Sequence, residues 1–162
     1  MTKVNDEPKN IRRLPHYKGL PVPANIRVKD GVPDFTDIDW DKNFELAWAR
    51  KCGLCGLDNP GPYAFIGGIR SVTSGTFRDA PMHEACAWFA ARTCPHLTGK
   101  LQKYRDGGER TPIEYVVISR LYKIRQRFIV ADRPRRAYRI DLPTGGETTQ
   151  MNAIQSLSEG LN

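Results

Sequence analysis

Lys51-Cys52-Gly53-Leu54-Cys55-Gly56 and, further along the chain, Pro81-Met82-His83-Glu84-Ala85-Cys86 are the two stretches that decide the fold. The first is a Gly-rich turn presenting two soft thiolates at C-x₂-C spacing. The second adds a His and a Cys at i, i+3. Three thiolates and one imidazole form a ligand set for one tetrahedral Zn²⁺. All four ligands come from the protein, so the coordination shell is closed and the reading is a structural ion. Such an ion with three thiolates and a neutral imidazole carries a net −1, which Arg50 and Lys51 beside the knuckle are expected to offset.

A chain of 162 residues makes one domain, or one domain with appendages. Its mean hydropathy of −0.53 and 27% charged residues leave a lean core, for which a metal staple compensates. No window approaches the ~18 apolar residues of a membrane span. Residues 1–10 are polar and lack the apolar run of a secretory signal. Four cysteines without an export signal point to a reducing, cytoplasmic setting and to metal rather than disulfides.

Outward from the two ligand pairs, the chain divides into four parts. Residues 1–18 read as a flexible N-terminal arm, with Pro8 and Pro15, and the extended, Pro-rich character continues through Pro21 and Pro23. Residues 19–97 hold the zinc-binding region, 98–112 a polar link around Gly107-Gly108, and 113–162 basic strands and a final helix packing on the same domain. Ile26–Phe35 predicts a hairpin about Asp30-Gly31. Asp37–Arg50 predicts a helix capped by Asp39 or Asp41, with Trp40, Phe44, Ala47 and Trp48 on its inward face. Pro62–Ile69 and Ser71–Phe77 read as two strands. Residues 82–93 read as a helix capped by Asp79, with His83 and Cys86 on its first turn and Pro95 ending it. Strands are expected at 113–124, 127–131 and 136–140, and an amphipathic helix at 148–159 with Met151, Ile154 and Leu157 inward. The fold class is therefore α+β: a small treble-clef-like zinc core, a short antiparallel sheet and a C-terminal helix.

Other readings of the cysteines are weaker. A redox pair at Cys52 and Cys55 wants the second cysteine at a helix start, whereas Gly56, Asp58, Asn59 and Pro60 follow. Cys94 lies eleven residues beyond His83, about 16 Å along a helix axis, too far for the same ion. It reads as a structural thiol, His96 as a residue near the helix's last carbonyls, and His16 as exposed in the arm. A catalytic set is missing: residues 63–77 contain no His, Asp or Glu to serve a hydrolytic metal centre. There is no nucleophile elbow or phosphate-binding Gly-rich loop either. The expectation is a non-enzyme.

Gly19-Leu20-Pro21-Val22-Pro23, Asp30-Gly31-Val32-Pro33-Asp34-Phe35, the Cys52/Cys55 pair, Ala64-Phe65-Ile66-Gly67-Gly68, Pro81-Met82-His83-x₂-Cys86-Ala87 and Ala91-Arg92-Thr93-Cys94-Pro95 together resemble an uncharacterised family. Its members are small zinc-finger-like proteins of bacteria, actinobacteria especially, and of their phages. The resemblance implies a metal site on Cys52, Cys55, His83 and Cys86 and a bacterial or phage accessory protein. It implies no activity.

Charge placement suggests a partner. Residues 100–139 hold twelve basic and four acidic residues, a net +8 that exceeds the +7 of the whole chain. Such a segment favours phosphate-rich partners. A nucleic acid or nucleoprotein would be met by Arg120, Lys123, Arg125, Arg127, Arg135, Arg136 and Arg139. In the strand alternation Lys123, Arg125 and Arg127 share one face, and Tyr122, Ile124 and Phe128 the other. Tyr122, Phe128 and Tyr138 read as sheet core, and as stacking groups only where exposed. The alternative is a protein-interaction module, with the zinc site as a frame and the Pro-rich arm lying in a groove of a host or partner protein.

Overall fold

The computed structural model describes residues 7–94, 113–132, 135–140 and 151–153. The chain starts with one helical turn, α1 (Lys9–Arg12). Two small hairpins follow, β1 (His16–Tyr17) with β2 (Leu20–Pro21), and β3 (Ile26–Lys29) with β4 (Val32–Ile38). Lys18-Gly19 and Asp30-Gly31 make their turns with positive φ at both residues. That turn matches the right-handed twist of the flanking strands.

Helix α2 (Trp40–Trp48) begins at Asp39, whose side chain accepts a hydrogen bond from the Lys42 N–H. It ends in a Schellman motif. The Arg50 N–H donates to the Ala47 carbonyl and the Lys51 N–H to that of Leu46. Arg50 holds the left-handed position, φ 56°, that glycine usually takes. Its guanidinium lies 3.9 Å from the centroid of the Tyr122 ring and donates to the Tyr122 carbonyl, which offsets the backbone cost. This sharp exit delivers the chain into the Cys52 knuckle.

Beyond the knuckle come β5 (Tyr63–Gly67), α3 (Ile69–Ser74), β6 (Thr76–Phe77), β7 (Met82–His83) and α4 (Glu84–Thr93). The remaining elements are β8 (Tyr115–Ser119), β9 (Tyr122–Arg125), β10 (Phe128–Ala131), β11 (Arg135–Ile140) and β12 (Met151–Ala153). Two antiparallel sheets result, a five-stranded one in the order β12-β11-β8-β5-β7 and a three-stranded one in the order β6-β10-β9. One face of the larger sheet (Tyr63, Phe65, Val117, Ala137) packs on the smaller sheet and on α2 and α3 through Val72, Phe77, Tyr122, Ile129 and Ala47. Phe65 and Phe77 stack at 4.6 Å, and Tyr63 meets Tyr122 edge-on at 4.7 Å. The other face (Ala64, Val116, Ile140) receives α4 through Ala87 and Ala91, small side chains that let the helix lie close to the sheet.

Two buried polar residues join these layers. Asn43 is fully buried, and its Oδ1 accepts from Asn25 Nδ2 (3.1 Å) and from the Ala80 N–H (2.7 Å), while its Nδ2 donates to the Arg78 carbonyl (2.9 Å). Arg135 is 4% exposed and donates to the Val72 and Thr73 carbonyls at the end of α3. A cation suits that helix terminus. Gly75 leaves the room it needs, since a Cβ there would lie 2.9 Å from the guanidinium.

Several expectations are corrected. Residues 9–12, expected within an arm, form a helical turn with Ile11 fully buried, and the segment after β2 meets the knuckle through the Ala24 N–H to Leu54 carbonyl bond. Ser71–Phe77 is a helix and a two-residue strand instead of one strand. Hence the two expected strands do not pair with each other, and β5 pairs with β7 and β8. Gly68, at the start of α3, turns the chain out of the sheet, and Gly75 (φ 74°) ends the helix. Trp48 is 69% exposed, and its place inside is taken by Asn43 and Ala47. Helix α4 starts after His83, not at Asp79. The first basic strand breaks at Arg120-Leu121, where the Ser119 hydroxyl donates to the Leu121 carbonyl. Met151–Ala153, expected within a C-terminal helix, is a strand on the edge of β11. The open backbone groups of that edge outweigh local helix preference. The rest of that predicted helix, the 98–112 link and His96 lie outside the described residues.

The Asn43 hub gives a direct test. Asn43→Ala leaves the Ala80 N–H and the Arg78 carbonyl without their partner, and we expect a loss of about 2–3 kcal/mol in urea denaturation of the zinc-loaded protein. An unchanged midpoint would show that these bonds contribute no net stability.

Candidate metal centre

The knuckle owes its shape to close backbone approaches. The Cys52 N–H donates to the Leu57 carbonyl and the Gly56 N–H to that of Cys52, and the Gly53 N–H bonds the Pro81 carbonyl at 3.0 Å. A Cβ on Gly53 would sit 2.8 Å from the Ala80 oxygen, so only glycine allows the 80–81 segment to come this close. Gly56 takes a positive φ of 75° to close the turn. His83 ends β7 and stands just before α4 without a capping bond from its side chain, and Cys86 occupies the helix's first turn. The β5–β7 pairing, Tyr63 opposite His83, fixes the imidazole's height over the knuckle.

These elements bring the ligand atoms of Cys52, Cys55, His83 and Cys86 within 4.8 Å of one another. His83 Nδ1 lies 3.4 Å from Cys55 Sγ and 3.8 Å from Cys86 Sγ. Zn–S bonds of about 2.3 Å and Zn–N bonds of about 2.0 Å give separations of this size between tetrahedral ligands. The three cysteines are buried, at 0–1% exposure. The donor set therefore fits one structural Zn²⁺, and the ion's four positions are filled by protein.

A second layer of groups prepares the site. His83 Nε2 donates to the Asp58 carbonyl at 2.9 Å, which places the proton on Nε2 and leaves Nδ1 bare for the metal. The N–H groups of Cys55 and His83 approach Cys52 Sγ at 3.5 and 3.4 Å. Asn10 Nδ2 donates to both Cys55 Sγ (3.3 Å) and Cys86 Sγ (3.1 Å). Without a metal the three thiols compete for one charge. Hydrogen bonds from Cys52 and Cys86 hold the Cys55 thiol far below its ordinary range, and hydrogen bonding within the trio pushes Cys52 and Cys86 up. A divalent cation resolves that competition by taking all three as thiolates.

Arg50 is not a partner of this site, because its guanidinium is committed to Tyr122. The amide of Asn10 instead donates hydrogen bonds to two of the sulfurs. Sequence alone gives no signal for this, since Asn10 and Cys86 are 76 residues apart. Cys94 stands apart from the cluster, at the end of α4. It lines an apolar cavity of about 170 Å³ together with Leu20, Ile26, Phe35, Leu54 and Phe89. His16 is exposed, as expected, and its ring contacts Glu7 and the Leu14 carbonyl.

The basic residues do not form one surface. Arg135 is buried at the end of α3 and is unavailable to any phosphate. Arg136 pairs with Ile118 on the α4 side of the larger sheet, and Arg139 pairs with Tyr115 on the opposite side. Lys123, Arg125 and Arg127 stay together and exposed on the β9–β10 hairpin, with Arg120 on the turn before it.

Compared with protein-family models, curated proteins and solved structures, the chain finds no match. The resemblance to the small bacterial and phage proteins thus has no support beyond the motifs that suggested it. What fold and site define together is a class: a small α+β domain with short antiparallel sheets around a Cys₃His zinc centre. No described helix is long and apolar enough to cross a membrane.

Removal of the ion with a strong chelator should unfold the knuckle, with loss of α4 helicity in far-UV circular dichroism, because structural zinc supplies about as much free energy as a small domain's whole stability. Asn10→Ala should keep one zinc per chain but weaken its affinity about 10- to 100-fold in competition with a chromophoric chelator. An unchanged affinity would mean the two Asn10–sulfur bonds do not tune the site.

Proposed function

We propose that this chain is a non-enzymatic zinc-stabilised module that binds nucleic acid or a nucleoprotein inside the cell, through the β9–β10 hairpin and its flanking turn. The observation that carries the reading is the cluster of Lys123, Arg125 and Arg127, all exposed on one two-stranded element, with Arg120 beside it. Asp132 approaches Lys123 Nζ only at 4.0 Å, a weak surface pair. Phosphates would release counterions from such a cluster and bind with steep salt dependence. The zinc centre serves as a frame for this surface. Its closed ligand set offers no position to a substrate and supports a role outside catalysis. A treble-clef-like ancestry, as in the bacterial and phage proteins that the motifs resemble, accords with a frame of this kind.

The packing of Ile11 and Leu14, in the described part of the N-terminal arm, against the knuckle weakens the competing reading, in which that arm reaches into a partner protein. Burial of Arg135 narrows the contacts to the hairpin.

Fluorescence anisotropy with a labelled oligonucleotide of about 20 nucleotides tests the proposal, since each lost phosphate contact lowers the slope of log K against log salt by about 0.7–0.9. The triple variant Lys123→Ala, Arg125→Ala, Arg127→Ala should lower that slope by about 2 units, at unchanged zinc content. Arg136→Ala, on the other side of the larger sheet, should have the smaller effect. No binding to DNA or RNA at low salt would defeat the reading.

A further inference from the structure

The β9–β10 hairpin carries an aromatic group where the alternation of its sequence places none. Arg125 and Phe128 are cross-strand partners, as are Lys123 and Val130. Partners directly opposite one another project to the same face. Tyr122, Ile124, Ile129 and Ala131 fill the inward face. Arg125, Phe128, Lys123 and Val130 therefore share the outward one, and Thr76 of β6 extends it beside Val130. The two-residue turn at Gln126-Arg127 reverses the alternation and moves Phe128 out of the core.

Phe128 is 45% exposed. Among the described residues no aromatic ring stacks on it, and the cations that sit over rings, Lys18, Arg50 and Arg78, cover other residues. Leu121, before β9 at the other end of the hairpin, is 61% exposed. The result is a small sheet face with an open aromatic ring beside two cations of the neighbouring strand.

The geometry points to single-stranded nucleic acid as the ligand of this face, with Phe128 stacking on an unpaired base and Lys123 and Arg125 holding the flanking phosphates. This inference rests on the nucleic-acid reading above and narrows it. A duplex presents phosphates outward and hides the flat faces of its bases, so a ring on a sheet surface finds nothing to stack on. An unpaired strand offers a π-face at every nucleotide. A four-residue strand is about 13 Å long, room for the two or three bases that a sheet platform typically takes.

The test uses the zinc-loaded full chain and one labelled mixed-sequence oligonucleotide, as DNA and as RNA, either alone or annealed to its complement. Phe128→Ala, Phe128→Trp and the double variant Lys123→Ala, Arg125→Ala are compared at one salt concentration, with zinc content and circular dichroism as fold controls. We expect the single strand to bind more tightly than the duplex. Phe128→Ala should weaken single-strand binding about five- to one-hundred-fold, leaving any duplex binding unmoved, and Phe128→Trp should retain it. The double variant should weaken both. Equal affinity of Phe128→Ala and the parent chain for the single strand, or a preference for duplex, would overturn the inference while the nucleic-acid reading survives. Binding of neither form of DNA or RNA would overturn both.

Discussion

Three sulfurs and an imidazole nitrogen held within 4.8 Å of one another form the constraint on which the rest of this molecule depends. Thiolates so close repel one another, and burial raises the cost. A divalent cation turns that repulsion into the strongest attraction in the domain. Each ligand pair belongs to a different part of the chain, the knuckle after α2 on one side and the β7–α4 junction on the other. The ion therefore locks the position of α4 on the sheet. It also holds the N-terminal segment, since Asn10 reaches the cluster only because Ile11 beside it is fully buried against the knuckle.

The apolar layers are modest in size and are tied together by a few polar side chains. Asn43 connects α2, the start of β3 and the segment before β7 in one residue. Arg135 couples β11 to α3. Arg50 couples the end of α2 to β9. Asn43 and Arg135 lie where an apolar residue could pack but could not satisfy the carbonyl and amide groups that converge there. The charge of Arg135, which by sequence belongs to the basic surface, is spent in the interior.

Short-range chemistry was legible in the sequence. The ligand spacing named all four metal residues, Asp30-Gly31 named its hairpin, and Asp39 its helix cap, because each depends on residues a few positions apart. Lys18-Gly19 carried the same kind of turn signal and could have revealed β1–β2. Long-range pairing was not legible. Nothing in Ser71–Thr73 says that it leaves the sheet as a helix, since its β-branched residues suit either state. Met151–Ala153 became a strand through its partner β11 and not through its own preference. Asn10, Asn43 and Arg135 are polar residues of ordinary appearance, and only the folded chain shows which carbonyls and sulfurs surround them. Alternation across β9 and β10 failed at Phe128 because a two-residue turn resets which side faces inward.

Among the described residues, strand β9 closes the smaller sheet without a neighbour on its outer side. An open strand edge invites pairing with a second chain, and long basic side chains are among the devices that prevent it. Lys123 and Arg125 stand on this edge strand, and Arg50 already occupies the Tyr122 carbonyl at one end of it. Their charge keeps two copies of the molecule apart for as long as it is unneutralised. Polyanions or concentrated salt would screen that charge, so the side chains that would meet a ligand are also the ones that guard the open edge of β9.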